Sequence, residues 1–110
     1  MGEPIRTFAQ FWLYYLSEHS RPGTRALHLV GTTVALALAV IAVTTGRWAM
    51  LFTALICGYA FAWAGHLLVE HNRPATFRYP LWSFAADFKM WWVAITGRLK
   101  SELQRARVAP

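Results

Sequence analysis

The sequence predicts an all-α integral membrane protein: a helical hairpin of two transmembrane helices flanked by two amphipathic interfacial helices. Three observations carry that prediction. Residues 26–46, ALHLVGTTVALALAVIAVTTG, and 48–69, WAMLFTALICGYAFAWAGHLLV, are runs of 21 and 22 residues without Asp, Glu, Lys or Arg. Each is long enough to cross roughly 30 Å of hydrocarbon as a helix. Only Arg47 separates them, so two spanning helices must turn back on each other at once. Outside the runs, aromatic residues recur at helical spacing, as they do on helices that lie at a membrane surface.

A chain of 110 residues that is 56% apolar, with a mean hydropathy of +0.32, is too greasy for an ordinary soluble domain. A single membrane domain over residues 1–110 is expected. The first interfacial helix covers about residues 5–20, where Phe8, Phe11, Trp12 and Tyr15 fall at i, i+3, i+4 and i+7. Pro22 and Gly23 then break the chain, and Thr24 is positioned to cap the helix of the first span, about 26–46. The second span covers about 48–70. Pro74 and Pro80 argue for an extended connection, kept polar by Thr76 and Tyr79.

A second interfacial helix is expected over about 80–97, with Leu81, Phe84, Phe88, Trp91, Trp92, Ile95 and Leu99 on one face and Asp87 and Lys89 off it. A third span is the alternative reading of this helix, against which Asp87, Lys89 and Arg98 leave a short uncharged run. Residues 98–110 read as a charged, frayed tail. No cleavable signal peptide is visible, because Glu3, Arg6 and Glu18 interrupt the first twenty residues. Cys57, alone and mid-span, reads as a small packing residue.

Ten of the eleven Lys and Arg residues and all five acidic residues lie on the side of the termini, with Arg47 alone at the turn. The positive-inside rule therefore puts both termini in the cytoplasm. The basic balance reads as topology and contact with anionic lipid, and nothing in it supports nucleic-acid binding.

The chemistry concentrates in two segments, SEHSRPGTRALHLVGT and GHLLVEHNRPATF, which hold all four histidines. An antiparallel hairpin sets the start of its first helix beside the end of its second, so His28 and His66 fall at similar depth, and His19 enters from the helix before. Glu70 lies about 40° around the helix from His66, on the same face, whereas His71 converges only if the helix unwinds before Pro74. Neutral imidazoles with an optional carboxylate bind Fe(II), Zn(II), Mn(II) or Cu(II), and three protein ligands leave positions open for O2 or substrate. Interfacial histidines that are simply wetted explain the same residues without a metal.

These segments, with the aromatic stretch FWLYYLSEH before them, resemble the small membrane-protein family of the fungal 2-hydroxy-fatty-acid dioxygenase, over nearly the whole chain. The resemblance implies an iron(II)-dependent dioxygenase acting on a 2-hydroxy fatty acid and O2, shortening the acid by one carbon. It implies His19, His28 and His66 as catalytic metal ligands. Glu70 matches the family's acidic position, as a ligand or as a partner that orients an imidazole, and His71 falls where a cationic residue is tolerated. Arg21, Arg25 and Arg73 flank the histidines as candidates to pair with the substrate carboxylate. Two other readings stay open: a non-catalytic structural or lipid-interacting membrane protein, and a bis-histidine haem protein ligated by His28 and His66.

Overall fold

The computed structural model describes residues 5–74 and 78–108. Within them the chain forms five α-helices, α1 (Phe8–Ser17), α2 (Pro22–Thr45), α3 (Met50–Ala64), α4 (Pro80–Ile95) and α5 (Leu99–Arg105), and no strand. A π-helical segment, Gly65–Glu70, continues α3. The all-α prediction holds, and two helical stretches, Pro22–Thr45 and Met50–Glu70, are long and apolar enough to cross a membrane. Thr76, expected to keep the connection to α4 polar, lies outside the described residues.

The boundaries of the first span move for a physical reason. Pro22 does not break the chain before a later start; it occupies the first turn of α2, where a missing N–H costs nothing and the ring fixes a helical φ. Arg21 takes the cap position, and Thr24, inside the first turn, sends its hydroxyl elsewhere. At the other end Gly46 adopts φ 71°, the left-handed conformation that closes a helix, and α3 follows after a short turn.

Close approach of α2 and α3 rests on small residues. A Cβ at Gly31 would stand 2.6 Å from the Cβ of Phe61 and 3.1 Å from the carbonyl oxygen of Gly58. Nearer the termini, a Cβ at Gly65 would meet the backbone of Thr24 at 3.3 Å. The outer surface of the hairpin is apolar and open: only 22% of an apolar 18-residue stretch of each span is buried, and Val40, Phe52, Ile56 and Leu68 point outward.

The buried core lies beside the hairpin, where α1 packs between α4 and α5. Thr7 caps α1 by accepting the N–H of Gln10 at 3.1 Å. Phe11, Trp12, Tyr15 and Leu16 are buried, and Phe11 meets the rings of Tyr79 and Trp82 at 5.4 and 5.7 Å. The expected face of α4 turns out to be its outer one. Leu81, Phe84, Phe88, Trp92 and Ile95 are exposed, while Ser83, Ala86, Met90 and Val93 pack inward at helical spacing. Small side chains let α4 approach its neighbours closely, which leaves the bulky residues outside.

The tail is a correction. Residues 99–105 form α5 instead of fraying, because Leu103 and Val108 join the core and Glu102 accepts the indole N–H of Trp12 at 2.8 Å. A buried indole N–H needs such an acceptor. That bond, with Arg105 beside it, holds the Glu102 carboxyl below the usual glutamate range against the opposing effect of burial.

Two predictions follow from this packing. Gly31→Ala should destabilise the hairpin by about 1–3 kcal/mol, the usual cost of overpacking, seen as a lower unfolding temperature in detergent; an unchanged temperature would show that the helices can part without cost. Glu102→Ala should lose about 1 kcal/mol at pH 7, a modest figure because the carboxylate is partly exposed. Since the native carboxyl titrates below its unfolded value, this contribution is full above the ordinary glutamate pKa and fades as the pH falls through the lowered one. The gap between wild type and variant should therefore narrow toward pH 3, and an equal gap at both pH values would rule out the carboxylate as its source.

Candidate metal centre

Three of the four histidines meet. His19 follows the end of α1, His28 lies in the second turn of α2, and His66 opens the π-helical segment; they are 0%, 4% and 2% exposed. One ring nitrogen from each lies within 4.8 Å of the others. The ring centroids are 4.8 Å apart for His19 and His28, 4.4 Å for His19 and His66, and 6.3 Å for His28 and His66.

Hydrogen bonds fix which nitrogen of each ring is free. The Nδ1 of His19 lies 2.7 Å from the carbonyl oxygen of Tyr15, so it carries the proton and Nε2 keeps its lone pair. The Nε2 of His28 lies 3.0 Å from Asp87 Oδ1 and 3.2 Å from the Tyr15 hydroxyl. Tyr15 donates its single proton to Asp87 at 2.7 Å, which leaves Nε2–H of His28 as the donor and its Nδ1 as the lone pair. The Nδ1 of His66 donates to Asn72 Oδ1 at 2.7 Å, while the Asn72 amide donates to the Glu18 carbonyl at 3.1 Å and so fixes its own orientation. His19 Nε2 and His28 Nδ1 are buried without any hydrogen-bond partner.

Such orphaned nitrogens carry a desolvation cost that a structural role would normally remove. Burial, and then the neighbouring charge positions of His28 and His66, push the His19 imidazole well below its usual pKa. It is neutral at pH 7, the form that ligates metals. The three rings are thus a donor set able to hold a divalent transition metal, each backed by a carbonyl, carboxylate or amide oxygen.

The other candidates are placed elsewhere. Glu70 shares the face of His66 but lies one turn further along, at the start of α2. There its carboxylate accepts the N–H groups of Ser20 and Arg21 at 3.2 and 2.8 Å and the Thr24 hydroxyl at 2.8 Å, with the Ser20 hydroxyl as a fourth donor. It caps α2, where a negative charge meets the positive end of the helix dipole. His71 adopts φ 61° at the end of the π segment and is exposed, outside the cluster. Arg25 is buried and donates to the carbonyls of His19 and Ser20 at 2.8 and 3.1 Å, holding the turn that carries His19. Arg21 and Arg73 are exposed.

Tyr15, Asp87 and Asn72, which orient the rings, were not singled out from the sequence. A signal for Asp87 was present, since a carboxylate inside an otherwise apolar helix asks for a partner. A cavity of about 320 Å³ between α2, α3 and α4 has His28 and Asp87 in its wall, so the cluster adjoins an apolar space.

No curated protein and no solved structure matches the chain significantly. The family described as 2-hydroxy-palmitic acid dioxygenase Mpo1-like matches residues 5–99, which hold the three clustered histidines and all three side chains that orient them. The chain belongs to the 2-hydroxy-palmitic acid dioxygenase Mpo1-like family.

Proposed function

We propose that this protein is a membrane-embedded, iron(II)-dependent dioxygenase that removes one carbon from a 2-hydroxy fatty acid, with His19, His28 and His66 as the metal ligands. The observation that carries the reading is the set of three buried imidazoles whose tautomers are fixed with lone pairs left over. In the balanced reaction the C1–C2 bond breaks, C2 becomes the new carboxyl, C1 leaves as CO2, and one O2 takes up four electrons, with water as the other product. His19, His28 and His66 would hold the iron(II), which when bound would supply the redox chemistry with O2 and coordination of the substrate's hydroxyl and carboxylate.

The protein's own groups have distinct tasks. Tyr15 and Asp87 hold His28, the Tyr15 carbonyl holds His19, and Asn72 holds His66. Burial of the cluster excludes water that would compete for the open positions. The apolar outer surface of the hairpin suits lipid, and the excess of basic residues on the side of the termini supports the reading that both termini are cytoplasmic. A fatty acid enters such a site with its tail still in an apolar medium. Arg21 and Arg73 are exposed cations that flank the histidine segments, suited to attract the carboxylate, whereas Arg25 is committed to the backbone.

The alternatives are less well supported. A purely structural role leaves the two partnerless nitrogens unexplained. A haem between His28 and His66 collides with His19, whose ring lies within 5 Å of both, in the space the flat macrocycle needs.

Protein purified anaerobically should carry near-stoichiometric iron and consume O2 with 2-hydroxypalmitic acid, and a folded His28→Ala, His66→Ala variant should do neither. Absence of metal after Fe(II) reconstitution would sink the proposal. Asp87→Asn and Asn72→Ala should each weaken iron binding by about 10–100-fold, the usual effect of losing a partner that orients a ligand. Glu70→Gln should lower the unfolding temperature and leave iron affinity unchanged; iron loss in this variant would make Glu70 a ligand after all.

A further inference from the structure

The cavity beside His28 has a graded lining. Its polar groups, His28, Asp87, Thr32 and Tyr59, gather toward one end, because the antiparallel pairing of α2 and α3 sets Thr32 near Tyr59. Beyond them the walls are apolar and built from small residues: Ala35 and Ala39 on α2, Ala54 and Gly58 on α3, with Leu51 at the far end. Phe84 and Phe88 of α4 cover the polar end. A volume of about 320 Å³ is within the range of small-molecule sites.

Its shape sets a length. His28 and Ala39 are eleven residues apart on one helix, about 16 Å at 1.5 Å per residue. An extended hydrocarbon chain advances about 1.3 Å per carbon, so the groove takes about a dozen methylenes. Polar groups at one end and apolar walls along the rest match an amphiphile with one tail, whose head sits beside His28, the member of the cluster that lines the cavity.

We infer that this groove holds the tail of the 2-hydroxy fatty acid and that Ala39 and Leu51, at its far end, set the accepted chain length. The inference rests on the function proposed above and names the tail-binding part of the same site. A sixteen-carbon acid with C1 and C2 beside His28 lays about a dozen of its remaining carbons along the groove and brings its methyl end just past Ala39 and Leu51. Shorter acids leave apolar wall uncovered, and longer ones must press past the end.

The test is photolabelling of the full chain in phosphatidylcholine nanodiscs, without O2, by 2-hydroxypalmitic acid bearing a diazirine near its methyl end, with iron content measured on the same sample. Labelling should be saturable, competed by unlabelled 2-hydroxypalmitic acid, and confined to the peptides that carry Ala39 and Leu51. Ala39→Phe should shift relative binding about tenfold toward a twelve-carbon 2-hydroxy acid while keeping wild-type iron content, and Leu51→Ala should shift it toward eighteen carbons. Should Ala39→Phe fail to fold, the Leu51 variant and the wild-type labelling pattern decide. Label that is not saturable and spreads over outward residues such as Phe52 and Ile56 is ordinary lipid contact and overturns the groove, even when iron is present. Saturable groove labelling in a protein that takes up no iron supports the groove and instead overturns the dioxygenase reading.

Discussion

Tyr15 is the residue on which the geometry of the centre depends. Its carbonyl orients His19, and its hydroxyl, by donating to Asp87, decides which nitrogen of His28 carries the proton. Its ring lies against Trp12 and against the imidazole of His19, at 5.7 and 4.2 Å. One buried side chain thus ties α1 to α2 and α4. Burial and the adjacent Asp87 carboxylate both push the Tyr15 hydroxyl well above its usual pKa, so it remains a donor throughout the physiological range. A shared donor of this kind couples the tautomer of His28 to the packing of the aromatic core. Disturbing α5, which holds Trp12 through Glu102, acts on the centre from a distance by loosening the same core.

The second constraint is the junction of the hairpin's open end. Gly65 allows the π segment to press on Thr24, and Glu70 then closes the start of α2 with its four acceptor contacts. The π geometry suits this place. A widened turn frees backbone groups, and the N–H of Asn72 returns to the His66 carbonyl at 2.9 Å while its side chain reaches the His66 ring. Local departures from the α-helix are often found where a side chain must be aimed. Glu70 is therefore indirectly important to the centre: it holds together the two segments that carry His28 and His66 without touching either ring.

Much of this was legible in the sequence, and what was not has a common cause. Uncharged run length and the single Arg47 between the runs were enough for the hairpin, because hydrophobic length is a property of one segment at a time. The pairing of His28 with His66 followed from antiparallel register. What required the packing of separate helices was out of reach: that Asp87 turns inward although it lies off the aromatic stripe, that Ser83 and Ala86 rather than Phe84 and Phe88 form the packed face of α4, and that Leu103 and Glu102 anchor a tail rich in charge. Glu70 shares the face of His66 as expected, yet its carboxylate sits at the start of α2, since angle around a helix says nothing of the next turn's neighbours. His71 looked like a fourth member because it is adjacent in sequence, yet a left-handed residue at the end of the π segment turns its side chain out.

The orphaned nitrogens bear on why the centre sits where it does. A buried polar atom without a partner costs about 1–3 kcal/mol, and here two such atoms belong to neighbouring rings of one cluster. A small chain with an exposed apolar hairpin has little spare stability to offset that cost. The structure concentrates its compensation around the cluster: the aromatic core on one side, the Glu70 cap on the other, and Arg25 across the turn between them. These contacts hold three buried imidazoles close together, so a metal entering the site would meet ligands already oriented and desolvated. Its binding energy would then add to the stability of the fold instead of being spent on ordering it.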